Sequence, residues 1–87
     1  VAVAVQISLY PLRQMDIIEP INSVIEIFKS YGLETHVGSM STLVYGEDEQ
    51  VFKALQDAYK KAAEFGEFVM VATFSNACPL PLRFDIG

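Results

Sequence analysis

One cysteine, one histidine and two arginines are all that this 87-residue chain holds of several residue types that often carry chemistry. A lone cysteine, Cys78, excludes an intrachain disulfide and fits a reducing compartment. His36 and Cys78 together are too few ligands for a typical zinc site. Arg13 and Arg83 stand far apart, and the lysines are scattered except for Lys60-Lys61. With no basic stripe, nucleic acid is not an expected partner. The five glycines are isolated, so no glycine-rich loop is available to cradle a phosphate. The opening run Val1-Ala2-Val3-Ala4-Val5 has no basic segment before it and is too short to span a bilayer. Neither a signal segment nor membrane insertion is expected, and the expected location is the cytoplasm.

A catalytic set is also missing. His36 sits in a predicted strand between Thr35 and Val37, with no Ser or Cys placed beside it by spacing. The only cluster of carboxylates, Glu47-Asp48-Glu49, is explained by the start of a helix, where the dipole favours negative charge. Proline follows Cys78 and no base adjoins it, which reads as a buried or pocket thiol. The expectation is a protein that is not an enzyme and requires no cofactor.

What the chain does have is apolar surface. Hydrophobic residues make up 52% and charged residues 20%, with a net charge of −5. Eighty-seven residues suffice for one small domain. Such a domain exposes apolar patches when monomeric, and patches of this kind mark interfaces. A homo-oligomer, dimer or tetramer, is therefore expected.

Residues 1–10 alternate, with Val1, Val3, Val5, Ile7 and Leu9 on one face. That period of two predicts a strand ended by Pro11. Ile21, Val24, Ile25 and Phe28 form a helical stripe, with the helix starting near Pro20, Asp16 or Glu19 as caps, and Gly32 as its stop. Leu33–Gly38 and Ser41–Tyr45 read as two strands around a tight turn, the second broken by Gly46. Val51, Phe52, Leu55, Ala58, Tyr59 and Ala62 form a second helical stripe, closed by Gly66. Phe68 to Phe74 reads as a buried strand. Strand–helix–strand–strand–helix–strand predicts an α+β, ferredoxin-like βαββαβ sandwich. Its four-stranded antiparallel sheet has the first and third strands in the centre and both helices on one face. The domain is expected over 1–79, with 80–87 as a C-terminal arm packing on its own domain or on a neighbour.

Polar side chains gather at strand ends: Ser8 and Tyr10, Ser41 and Thr42, Ser75 and Asn76, with Gln6 nearby. The open face of the sheet is expected to present Gln6, Ser8, Tyr10, Thr42 and Ser75. Hydroxyls and amides bind a polar heterocycle without reacting with it. In the predicted sheet Ser8 and Tyr10 meet Ser41 and Thr42, while Asn76 falls at the opposite end. Either one end forms the site, or a second subunit joins the two.

Three stretches carry a family resemblance: Gln6-Ile7-Ser8-Leu9-Tyr10-Pro11-Leu12, Met40-Ser41-Thr42 with Gly46-Glu47, and Thr73-Phe74-Ser75-Asn76-Ala77-Cys78-Pro79. In order and spacing the chain resembles the thiamine-binding, YkoF-like family of small ferredoxin-like proteins. The resemblance implies non-catalytic binding of thiamine or its hydroxymethylpyrimidine moiety, in thiamine salvage, transport or supply. It makes Gln6, Ser8, Tyr10, Ser41, Thr42, Ser75 and Asn76 the candidate ligand-binding residues. Some relatives carry two such domains in tandem, so this single domain would self-associate to match them. The competing expectation is a ligand-free homo-oligomeric assembly or regulatory module, motivated by the apolar excess and the bare sheet face.

Overall fold

A computed structural model describes residues 2–77. The elements are β1 (Ala2–Pro11), α1 (Ile18–Ser30), β2 (Glu34–Val37), β3 (Thr42–Glu47), α2 (Asp48–Ala63) and β4 (Phe68–Ser75). The sheet order is β2-β3-β1-β4, and every neighbouring pair is antiparallel. This is the expected α+β sandwich, with β1 and β3 central. The expectations for Cys78 and for the 80–87 arm lie outside the described residues.

Local chemistry explains where the elements begin and end. Asp16 Oδ1 accepts the main-chain N–H of Ile18 at 2.9 Å and of Glu19 at 3.3 Å. Those are amides a helix start leaves without intrahelical partners, so α1 opens two residues before Pro20. At its other end Gly32 adopts φ +73°. The Gly32 N–H bonds Lys29 O at 2.9 Å and the Leu33 N–H bonds Phe28 O at 3.3 Å, the paired bonds of a Schellman stop. Asp48 and Glu49 occupy the first turn of α2, and Lys60 and Lys61 the last, both matching the helix dipole.

The core lies between the sheet and the two helices. Val5, Ile7 and Val44 from the sheet meet Val24 and Phe28 of α1, Leu33, and Val51, Ala54, Ala58 and Ala62 of α2. Phe28 is almost wholly buried, and burying a side chain of that size stabilises a fold by about 1.5–3 kcal/mol. Tyr31, just past α1, donates a hydrogen bond to the Asp57 carboxylate on α2 and so ties the helices together.

Four expectations change. Gly46 does not break β3 but lies within it. A Cβ there would collide with Leu33, so glycine permits a close approach of strand and side chain. The buried stripe of α2 runs through Ala54 rather than through Phe52 and Tyr59, which stay half exposed. Those two rings lean over β4 instead: Phe52 stacks on Phe74 at 5.1 Å between centroids and Tyr59 meets Phe68 edge-on at 5.2 Å. Next, β4 is not a buried strand. It is an edge strand, and none of its eight residues is fully buried. Finally, Thr42 does not belong to the open face. It pairs with Ile7, whose side chain is in the core, and directly opposed residues in a ladder share a face.

Candidate functional site

β1 outruns one neighbour at each of its ends. It pairs with β3 from Ala2 to Ile7, but with β4 from Ala4 to Pro11. From Ser8 onward its β3-facing edge therefore has no strand beside it. The β2–β3 turn, closed by a 2.8 Å bond from the Gly38 N–H to Ser41 O, curls past this gap, and α1 lies across it.

Together they enclose a cavity of about 370 Å³. Its apolar wall comes from Ile7, Leu9, Ile21, Val24, Ile25 and Phe28, and its polar groups from Ser8, Tyr10, Ser39, Ser41 and Thr42. A mostly apolar concavity of a few hundred Å³ with a few convergent polar groups is the usual form of a small-molecule site. Val37 and Met40 stand exposed at its rim. Gln6 does not line the cavity, but its Nε2 donates to Ser41 Oγ at 3.2 Å and holds that hydroxyl from the open face.

Ser75 and Asn76 are elsewhere. Ser75 pairs with Ala4, whereas Tyr10 pairs with Val69. Both residues border a second cavity, of about 380 Å³, with Ala2, Val3, Ala4, Glu34, Tyr45, Gly46 and Glu47. Ser75 Oγ also accepts the Ala77 N–H at 3.1 Å and closes the turn after β4. So the structure joins Ser8, Tyr10, Ser41 and Thr42 around one cavity and sets Ser75 and Asn76 at the other end of the sheet.

The contribution of α1 was missed by sequence reasoning. Ile21, Val24 and Ile25 read as ordinary core stripe, and nothing in their spacing says that one end of the stripe overhangs a gap in the sheet. The signal lay in strand lengths: β1 spans ten residues and β3 six, so one must project beyond the other.

His36 stands on β2, bonded to Glu34 Oε2 at 2.9 Å and edge-on to the Tyr45 ring at 6.2 Å. Among the described residues no group of three or more His, Cys, Asp or Glu side chains is placed to hold a metal. No helix among them is long and apolar enough to cross a membrane.

A four-stranded antiparallel sheet under two helices, with a cavity where the central strand projects, defines a small ferredoxin-like α+β domain with a cleft of small-molecule size. More particularly, the chain belongs to the YkoF-related family, whose model matches residues 2–80. A proposed thiamine biosynthesis/salvage protein from Thermotoga maritima shares 26% identity and superposes with a TM-score of 0.76, covering 85% of this chain and 82% of that one. Protein SP2199 of Streptococcus pneumoniae has a TM-score of 0.83 at 19% identity, covering 95% of this chain and 94% of its own. A hypothetical protein of Methanocaldococcus jannascii has a TM-score of 0.79 at 22% identity, covering 88% and 81%. The last two share the fold. Among curated proteins none matches the sequence.

Proposed function

We propose that this protein binds thiamine, or its hydroxymethylpyrimidine moiety, without transforming it, and serves thiamine salvage, transport or supply in the cytoplasm. The observation that carries the reading is the cavity of about 370 Å³ beside the projecting end of β1. Family membership and the Thermotoga relative support the choice of ligand.

The chemistry of the lining fits. An aminopyrimidine edge alternates acceptors with a donor, and the hydroxyls of Ser8, Ser41 and Thr42 both donate and accept. The Tyr10 ring gives a thiazolium cation a negative π-face. None of the described lining residues is a carboxylate, histidine, lysine or arginine. Among the described residues, the lining offers no cation to compensate a pyrophosphate.

Calorimetric titration with thiamine, its pyrimidine alcohol and thiamine pyrophosphate tests the reading. Saturable binding of thiamine or its pyrimidine alcohol, weaker for the pyrophosphate, is expected. No heat and no thermal shift with any of the three would leave the cleft without this role.

A further inference from the structure

The main chain of β1 loses one of its partners along its length, and the phase of the ladder bonds shows where each group points. The Leu12 N–H bonds Glu67 O at 2.9 Å, one rung beyond the Pro11–Phe68 pair. Opposed residues of an antiparallel ladder alternate between bonded and non-bonded pairs. Ser8 and Tyr10 therefore turn their main-chain groups toward β4, while Ile7 and Leu9 turn theirs the other way. The hairpin gives the same phase independently. The Gly38 N–H bonds Ser41 O, so Ser41 aims at β2 and Thr42 aims at β1, opposite Ile7.

Ile7 is the last rung of the β1–β3 pairing. The next groups facing that side, the N–H and C=O of Leu9, have no main-chain partner among the described residues. Leu9 is half-buried, and the cavity of about 370 Å³ is lined by residues 7–10 on one side and 37–42 on the other. The cavity thus occupies the place where further rungs would lie. A main-chain donor and acceptor turned into a half-buried cleft favour an occupant that completes both bonds.

Resting on the proposed function, we propose that the Leu9 main chain is the specificity-determining contact of the cleft. It takes a ligand whose edge sets an acceptor beside an N–H donor. In an aminopyrimidine the ring nitrogen accepts the Leu9 N–H, and the adjacent amino group donates to the Leu9 C=O. Together they replace the residue that would stand across a bonded rung. The hydroxyls of Ser8, Ser41 and Thr42 rotate and serve either polarity, so they accommodate many edges. The main-chain pair has a fixed polarity and direction, and a ligand without its amino group leaves the Leu9 C=O unsatisfied.

A peptide strand suits this edge poorly. Pro11, the next residue facing the gap, has an acceptor but no N–H, so the edge holds a single donor before it ends. The β2–β3 turn and α1 also close the space that an added strand needs. A planar ring of small-molecule size needs one rung only.

Amide hydrogen exchange followed by heteronuclear NMR tests the geometry before any ligand is added. In the free protein the Leu9 N–H is expected to exchange much faster than those of Ile7 and Ser8, which hold ladder bonds to β3 and β4. Thiamine or its pyrimidine alcohol should then slow Leu9 by about tenfold or more. In titrations, the pyrimidine alcohol with hydrogen in place of its amino group should bind about tenfold more weakly than the parent. Leu9→Pro removes the N–H from the free side of β1 and keeps the bonds to β4, whereas Leu9→Ala keeps the N–H. Leu9→Pro should bind about tenfold more weakly than Leu9→Ala. A Leu9 amide as protected as Ile7 in the free protein overturns the proposal, because another segment or a second copy already holds it. Thiamine compounds that bind without slowing Leu9 and without preference for the amino group overturn it and leave the proposed function standing. No binding of any thiamine compound removes both, and a fast Leu9 amide would then mark an open edge alone.

Discussion

Gly46 and Leu33 occupy adjoining space so closely that a side chain on the first would enter the second. Leu33 is itself buried among Phe28 and the core. Gly46→Ala is expected to destabilise the fold by about 1–3 kcal/mol, the usual cost of overpacking. Leu33→Ala leaves a cavity on its own, but should offset part of the loss in the Gly46→Ala background. A double-mutant cycle by urea unfolding measures this coupling, and strict additivity would show that the two positions do not contend for space.

Tyr31 and Asp57 predict a pH dependence. The hydrogen bond to Asp57 raises the Tyr31 pKa above its ordinary value, and burial and the Asp57 charge act in the same direction. A raised folded-state pKa adds stability that is fully present below the unfolded value, near 10, and is lost as pH climbs through the raised one. Tyr31→Phe should therefore lower Tm at neutral pH. The gap between variant and wild type should close only in strongly alkaline buffer. A gap that stays constant through that range would mean the phenol contributes by packing alone.

Asp16 accepts two amides at the start of α1, the helix that walls the cavity. Asp16→Ala is expected to lower stability by about 1 kcal/mol, in the range of a lost helix cap. Asp16→Asn, which keeps an acceptor, should recover most of it. Thermal unfolding of the three proteins decides, and equal losses in both variants would assign the effect to charge instead.

At the cavity, Tyr10→Leu removes the aromatic ring with its hydroxyl and Thr42→Val removes a hydroxyl, and both keep most of the side-chain volume. Each is expected to weaken thiamine binding by about tenfold, equivalent to about 1.4 kcal/mol, with Tm little changed. Glu26→Gln, on the exposed side of α1, should leave affinity unaltered. Unchanged titrations for both cavity variants would place the ligand outside this cleft.

The order of the elements and their antiparallel arrangement were legible in the residues themselves. Alternation along 1–10, the Ile21-Val24-Ile25-Phe28 stripe and the stop at Gly32 are local patterns, because they follow from the periods of strand and helix and from the conformational freedom of glycine. The polar residues at strand ends were legible for the same reason, as was the separation of Asn76 from Tyr10, which follows from antiparallel topology. Tertiary structure alone decided the rest. Periodicity shows which side of an element faces its neighbours, not how far each strand extends past the next or whether its outer edge is covered. Hence Phe68–Phe74 read as buried when it is an edge, and Phe52 and Tyr59 read as core when they roof that edge. Likewise the Ile21–Ile25 end of the α1 stripe became a cavity wall only because β1 projects past β3. Register and strand length are properties of pairs, and a pair exists only once the chain has folded.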